Sequence, residues 1–308
     1  MKGLALSKLF YHDRVLPSFR EHFPDDVSSM AFGLVGHGSE CYGFDDEFSR
    51  DHDWGARLCL WLPARTPEEK IHAMEKLYRS LEGPFGGFGA VQRFDPAVGR
   101  DGVMTVPFFF EHLIGRVSPP ETIKEWMAMR EEGLSLATNG DVFFDGAGEI
   151  GALRESLNHY YPRDLWLKKI ASRCFAFSQY GQYNLPRALL RSDMPLLQYT
   201  RASALEEAAA LYFLLRRRYR PYYKWLFHAL SQEGTEGKLL ARYINMAAAL
   251  SDPGTLKESI EAIARFMVAQ LEERGFSFAC GAFLQEYGFR ITEMIETPWL
   301  RSGAQIIE

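Results

Sequence analysis

Only four of the 308 residues are cysteine, and Cys41, Cys59, Cys174 and Cys280 are scattered with no CxxC spacing. That excludes a disulfide framework and predicts reduced, mostly buried thiols. Histidines in HxxH or HExxH spacing are also lacking, which removes the usual zinc-hydrolase patterns. No apolar run approaches the about 18–20 residues that a membrane span requires. The opening segment carries Lys8, His12, Asp13 and Arg14 where a secretory signal would be apolar. A cytoplasmic protein with no membrane partner is therefore expected. A net charge of −5 offers no broad basic surface, so no nucleic-acid partner is expected either. Internal repeats and low-complexity segments are absent. What is present is 47% hydrophobic and 24% charged residues, enough to bury a core in two domains of ordinary size.

The texture of the chain changes near residue 150. Before it, "SMAFGLVG" (29–36) and "HDWGARLCLWL" (52–62) read as buried strands, and a third strand is expected near "DGVMTVPFFF" (101–110). A helix is expected from "TPEEKIHAMEKLYRSL", capped by Thr66 with Glu69 completing a capping box and Pro67 in the first turn. Another starts at "SPPETIKEWMAMREEG" with a box from Ser118 to Glu121, and "EGPFGGFG" (82–89) between them is a glycine-rich loop. From "GEIGALRESLNHYY" onward the periodicity is helical, with Leu211, Leu214 and Leu215 as a core stripe. The expectation is an α+β chain: a small mixed-sheet domain over 1–148 and an all-α helical bundle over 149–308.

One stretch carries the chemistry. In "GLVGHGSECYGFDDEFSRDHDWGARLCLWL" five acids, Asp45, Asp46, Glu47, Asp51 and Asp53, fall within nine positions, with only Arg50 and Arg57 as nearby cations. Extended over 51–62, the chain would turn Trp54, Ala56, Leu58, Leu60 and Leu62 to one face and Asp51, Asp53 and Arg57 to the other. Two carboxylates side by side at a strand start suit a hard divalent cation such as Mg²⁺, which would supply the missing positive charge. Upstream, Gly38 permits close backbone approach, and Ser39 sits where a helix begins, offering N–H groups and a hydroxyl to phosphate.

Strand, Gly38-Ser39, eleven residues, Asp51-x-Asp53, strand: this pattern resembles the signature of nucleotidyltransferases of the DNA polymerase β type, which include the aminoglycoside and lincosamide nucleotidyltransferases with their helical second domain. The blocks "GSECYGFDDEFSRDHDWG", "GDVFFDGAGEIGALRESL", "YYPRDLWLKKIA" and "RRRYRPYYKWL" are most similar to an uncharacterised bacterial family of that superfamily. The resemblance implies that Gly38 and Ser39 hold a triphosphate and that Asp51 and Asp53 bind Mg²⁺ or Mn²⁺. It further implies transfer of a nucleoside monophosphate from a nucleoside triphosphate to a hydroxyl of a small-molecule or protein acceptor, with pyrophosphate leaving. A third carboxylate on a later strand belongs to the pattern, and Asp101 is the candidate. A lysine of the helical domain is implied to grip the triphosphate from across a cleft, a role that falls to Lys224.

Blander readings stand beside these. Asp45, Asp46 and Glu47 read as turn caps, and Tyr161 and Asp164 as packing and capping. Arg50 either neutralises the acidic run or touches a phosphate. The basic-aromatic block 216–226 fits a solvated helix end broken at Pro221 as well as a phosphate grip. Two other classes of function remain open: a non-catalytic nucleotide sensor, and an antitoxin-like or scaffold protein whose helical domain binds a partner.

Overall fold

The computed structural model describes residues 1–92 and 100–306. The chain divides into two compact units, Met1–His159 and Tyr160–Glu308. The fold is α+β, a small mixed sheet in the first unit and helices throughout the second.

The first unit opens with α1 (Gly3–Phe10), a π-helical turn over Tyr11–Val15, and α2 (Leu16–His22). Leu6, Phe10, Val15 and Phe19 along this run are fully buried and share one core with Phe32, Leu58 and Leu60. The sheet contains β1 (Ala31–Leu34), β2 (Cys59–Leu62), β3 (Gly102–Thr105) and β4 (Asp141–Asp145), in the order β3-β2-β1-β4. β1 is antiparallel to β2 and β4, whereas β2 runs parallel to β3. Parallel neighbours need a crossover, and α3 (Glu68–Ser80) lies in that connection. Its buried Tyr78 accepts a hydrogen bond from the Leu58 amide (3.0 Å), fixing where β2 begins. On the other side of β2, Trp61 meets Phe109 of α4 (Val106–Ile114) edge to face at 5.2 Å. All four residues of β2 are buried, which is why this strand reads as a continuous apolar run rather than an alternating one.

Several local expectations are corrected. Residues 51–58 are bends and irregular backbone, so the second strand is only Cys59–Leu62. The third strand stops at Thr105, because Thr105 caps α4 through the Phe108 amide and Pro107 occupies its first turn. Thr66 hydrogen-bonds back to the Pro63 carbonyl instead of capping α3. The capping box is Thr122 with Glu125, at the start of α5 (Ile123–Ala128), not Ser118 with Glu121. A separate helix, α6 (Glu131–Thr138), follows, and β4 is a strand that the sequence reading passed over between Gly140 and Gly146.

The unit boundary also lies later than expected. α7 (Glu149–Asn158) belongs to the first unit, because Arg154 donates to the carbonyls of Ala137, Thr138 and Asn139 at the end of α6. Asp145 of β4 accepts from the Gly148 and Gly151 amides and so anchors the start of α7.

The second unit contains α8 (Arg163–Phe177), a π-helical stretch over Ser178–Asn184, α9 (Leu185–Arg191), α10 (Met194–Leu215), α11 (Tyr223–Gln232), α12 (Gly234–Ala249), α13 (Pro253–Glu273), α14 (Leu284–Glu293) and α15 (Pro298–Ser302). No strand occurs among its described residues. α10 is buried almost all round, including Leu211, Leu214 and Leu215 as expected. A buried ion pair, Arg173 with Glu207 at 3.0 Å, ties α8 to α10. Asp164 accepts from the Thr297 amide and hydroxyl, the capping role foreseen for it. Cys41, Cys59 and Cys174 are buried free thiols and Cys280 is half-buried. Among the described residues no helix is long and apolar enough to cross a membrane.

Candidate functional site

β1 runs out through Val35 and Gly36 into His37, Gly38 and Ser39. An amide clamp holds the exit: Asn139 accepts from the Gly36 amide and donates to its carbonyl, both at 2.8 Å. Gly38 has φ +122, and a Cβ there would lie 2.5 Å from Glu40 Oε2 and 2.8 Å from Arg57 Nη2. Both the dihedral and the space demand glycine. Ser39 starts a one-turn 3₁₀ segment, Ser39–Tyr42, and its hydroxyl has no hydrogen bond to any described residue. Gly38→Ala is expected to cost roughly 1–3 kcal/mol through strain alone. A urea melt checks this, and an unchanged midpoint would mean that the turn is not held as described.

Beneath the turn lies Arg57, which is fully buried rather than on an open strand face with Asp51 and Asp53. Its Nε and Nη2 donate to Glu40 Oε1 (3.1 and 2.6 Å), Nη2 also to the His37 carbonyl (3.0 Å), and Nη1 to the Arg100 carbonyl (3.3 Å). One guanidinium thus ties the exit of β1, the 3₁₀ turn and the entry to β3. Burial alone would lower its pKa, but Glu40 and Asp101 outweigh that and raise it, so Arg57 stays charged. Glu40, which the sequence reading gave no role, is the residue that makes this staple work. An acid two positions from Gly38, with an arginine seventeen positions on, was the only available signal.

The acidic run does not converge. Asp45 is buried and accepts from the Gly3 amide (2.8 Å) and Trp54 Nε1 (3.0 Å), pinning α1 to this loop. Asp46 caps the turn at Ser49, as expected, whereas Asp45 serves as a loop hydrogen-bond acceptor and Glu47 is exposed. Arg50 stacks over the rings of Trp54 (4.8 Å) and Phe88 (5.4 Å). Asp51 is 65% exposed and holds the His52 ring at 2.9 Å. Asp53 has a left-handed backbone (φ +52), and its 14%-exposed carboxylate meets Arg100 Nη1 at 2.6 Å. The expected side-by-side arrangement of Asp51 and Asp53 on a strand is therefore corrected: they sit on a bend, Asp51 against the His52 ring and Asp53 against Arg100. Asp101 does stand at the entry to β3, but it is buried and faces Arg79 (3.6 Å) rather than joining the other two.

His37 links the turn to its surroundings. Burial, then Arg100, His112 and Arg57, lower its pKa to about 4, while Asp53 pulls the other way. The ring is neutral at pH 7, and it lies on the wall of a pocket of about 420 Å³ with His112, Leu113, Ile114, Arg130, Glu132 and Leu136. The His37 and His112 rings are 6.5 Å apart, and neither has a hydrogen bond to a described residue.

In the second unit the basic block is mostly spent on local partners. Arg216 meets Gln270 and Glu236, Arg217 lies over Trp166, Arg218 pairs with Glu233 and Arg220 with Glu206. Lys224 is exposed in the first turn of α11, its ammonium 5.4 Å from the Trp225 ring.

The described residues contain no group of three or more His, Cys, Asp or Glu side chains able to hold an ion. Mg²⁺, however, is commonly held by one or two carboxylates plus substrate phosphates and water. Two carboxylates, Asp51 and Asp53, are present on this bend. Residues 126–226 match the model of a family described as a domain of unknown function (DUF4037), a segment that includes Lys224 but begins after the Gly38–Ser39 turn and the acidic run. No curated protein matches the chain.

Proposed function

We propose that the first unit binds a nucleoside triphosphate at the Gly38–Ser39 turn and transfers its nucleoside monophosphate to a hydroxyl of an acceptor. The observation that carries this reading is the turn itself. A strand feeds a glycine with positive φ and a serine whose hydroxyl is unclaimed by described residues, beside a histidine that feels both Asp53 and Arg100.

Ser39 contributes its hydroxyl and backbone N–H to phosphate oxygens, and Gly38 lets the phosphate approach the main chain. Asp51 and Asp53 would hold Mg²⁺ or Mn²⁺, and such an ion would supply charge neutralisation for a departing pyrophosphate. The pocket beside His37 suits a small acceptor, and the neutral imidazole of His37, with the His112 ring, orients its hydroxyl by hydrogen bonding.

One observation favours the rival reading of a nucleotide sensor without transfer: Asp51, Asp53 and Asp101 each face a cationic or ionisable side chain of the protein itself. Incubation with α-labelled triphosphate and Mg²⁺ separates the two. Transfer predicts pyrophosphate release, slow with water alone, and label on an acceptor. Metal-dependent binding with neither product establishes the sensor.

A further inference from the structure

Arg100 sits where the proposed phosphate turn and the proposed ion ligand meet. Its carbonyl accepts from Arg57 Nη1 (3.3 Å) and from the Cys59 thiol (3.6 Å), so its backbone is fixed at the entry to β3. Its guanidinium is not fixed in the same way. Nη1 holds Asp53 Oδ2 at 2.6 Å, whereas Nε is buried with no hydrogen-bond partner among the described residues. The same side chain lines a small cavity with Gly36, His37 and His112, directly beside the Gly38–Ser39 turn.

We propose that Arg100 makes ion and triphosphate binding mutually dependent: it neutralises Asp53 in the empty protein and passes to the triphosphate when the ion takes its place. This rests on the nucleotide-binding reading above. A divalent cation and a guanidinium compete for one carboxylate, so an ion arriving alone must leave a half-buried guanidinium without its partner. A bare triphosphate arriving alone meets Asp51 and Asp53 and finds Arg100 already engaged. Arriving together, the ion satisfies Asp53, and the phosphate offers Arg100 a planar, bidentate acceptor of the kind its fork matches best. The coupling is reciprocal by linkage: whatever the ion gains from the triphosphate, the triphosphate gains from the ion.

The experiment is a set of thermal shifts and titrations with Mn²⁺ alone, ATP with chelator, and Mg²⁺ with ATP, on the wild type and on Arg100→Ala, Arg100→Gln and Arg100→Lys. For the wild type only the combined ligands should stabilise. Arg100→Ala and Arg100→Gln should take up Mn²⁺ alone at least about tenfold more tightly while losing roughly 10- to 100-fold in affinity for the combined ligands. Arg100→Lys should again block Mn²⁺ alone but recover triphosphate binding only partly. A merely structural role would weaken every arm together, and unchanged Mn²⁺ affinity in both neutral variants overturns the proposal. If the wild type ignores Mg²⁺ with ATP, the nucleotide-binding reading has failed as well. If it responds while the neutral variants show no gain for Mn²⁺, only the exchange has failed.

Discussion

Glu40→Ala is expected to destabilise the first unit by roughly 3–5 kcal/mol, the cost of stranding one partner of a buried ion pair. The two side chains are each 2% exposed, and the stranded group would be an arginine, which cannot shed its proton to escape. Arg57 would keep its bonds to the His37 and Arg100 carbonyls but lose the carboxylate it is bonded to, with Asp101 the remaining acid near it. Glu40→Gln, which keeps an acceptor without the charge, should lie between the wild type and the alanine variant. Replacing both residues with methionine should cost less than the sum of the two single changes, because no charge is then left alone. Urea unfolding midpoints give the answer. A Glu40→Ala midpoint close to the wild type would show that Arg57 finds other neutralisation and that the staple beneath the turn is not what holds it.

Asp51→Asn with Asp53→Asn should abolish the metal dependence of triphosphate binding. A ligand present at 100 times its dissociation constant adds about 2.7 kcal/mol to stability, so the wild type should melt visibly higher with Mg²⁺ and ATP together. The double variant should show no such difference between metal and chelator, and any pyrophosphate release should fall to background. The single changes are unequal in expectation. Asp53 is the half-buried carboxylate that meets Arg100, whereas Asp51 is an exposed carboxylate against His52. Asp53→Asn should therefore account for most of the loss. If the double variant still distinguishes Mg²⁺ from chelator, the ion is held elsewhere and these two aspartates are loop residues only.

How far the site could be read in advance depended on the range of the interactions that build it. That Gly38 and Ser39 form a turn after β1 was legible because a glycine following a buried strand marks a change of direction locally. Asp46 was legible as a cap, since side-chain to backbone bonds at short spacing follow from residue type. The extended reading of 51–58 failed because alternation there came from residues whose burial has two unrelated causes. Trp54 and Leu58 pack into the core under α1, whereas Arg57 is buried against Glu40. A period of two arose without a strand.

The amino-acid sequence by itself determined that this is an α+β chain with a helical second half and a buried first strand ending in a Gly-Ser turn. Hydrophobic periodicity, proline and glycine act over a few residues, and that is the range a sequence exposes. Only the tertiary structure decided that α7 belongs to the first unit, that the second strand waits until Cys59, and that the acids of the central stretch go to different partners. Asp53 meets Arg100 and Glu40 meets Arg57 across 47 and 17 positions of chain. Which countercharge a carboxylate takes depends on what the fold brings within a few ångströms of it, and the linear order of charges carries no record of that.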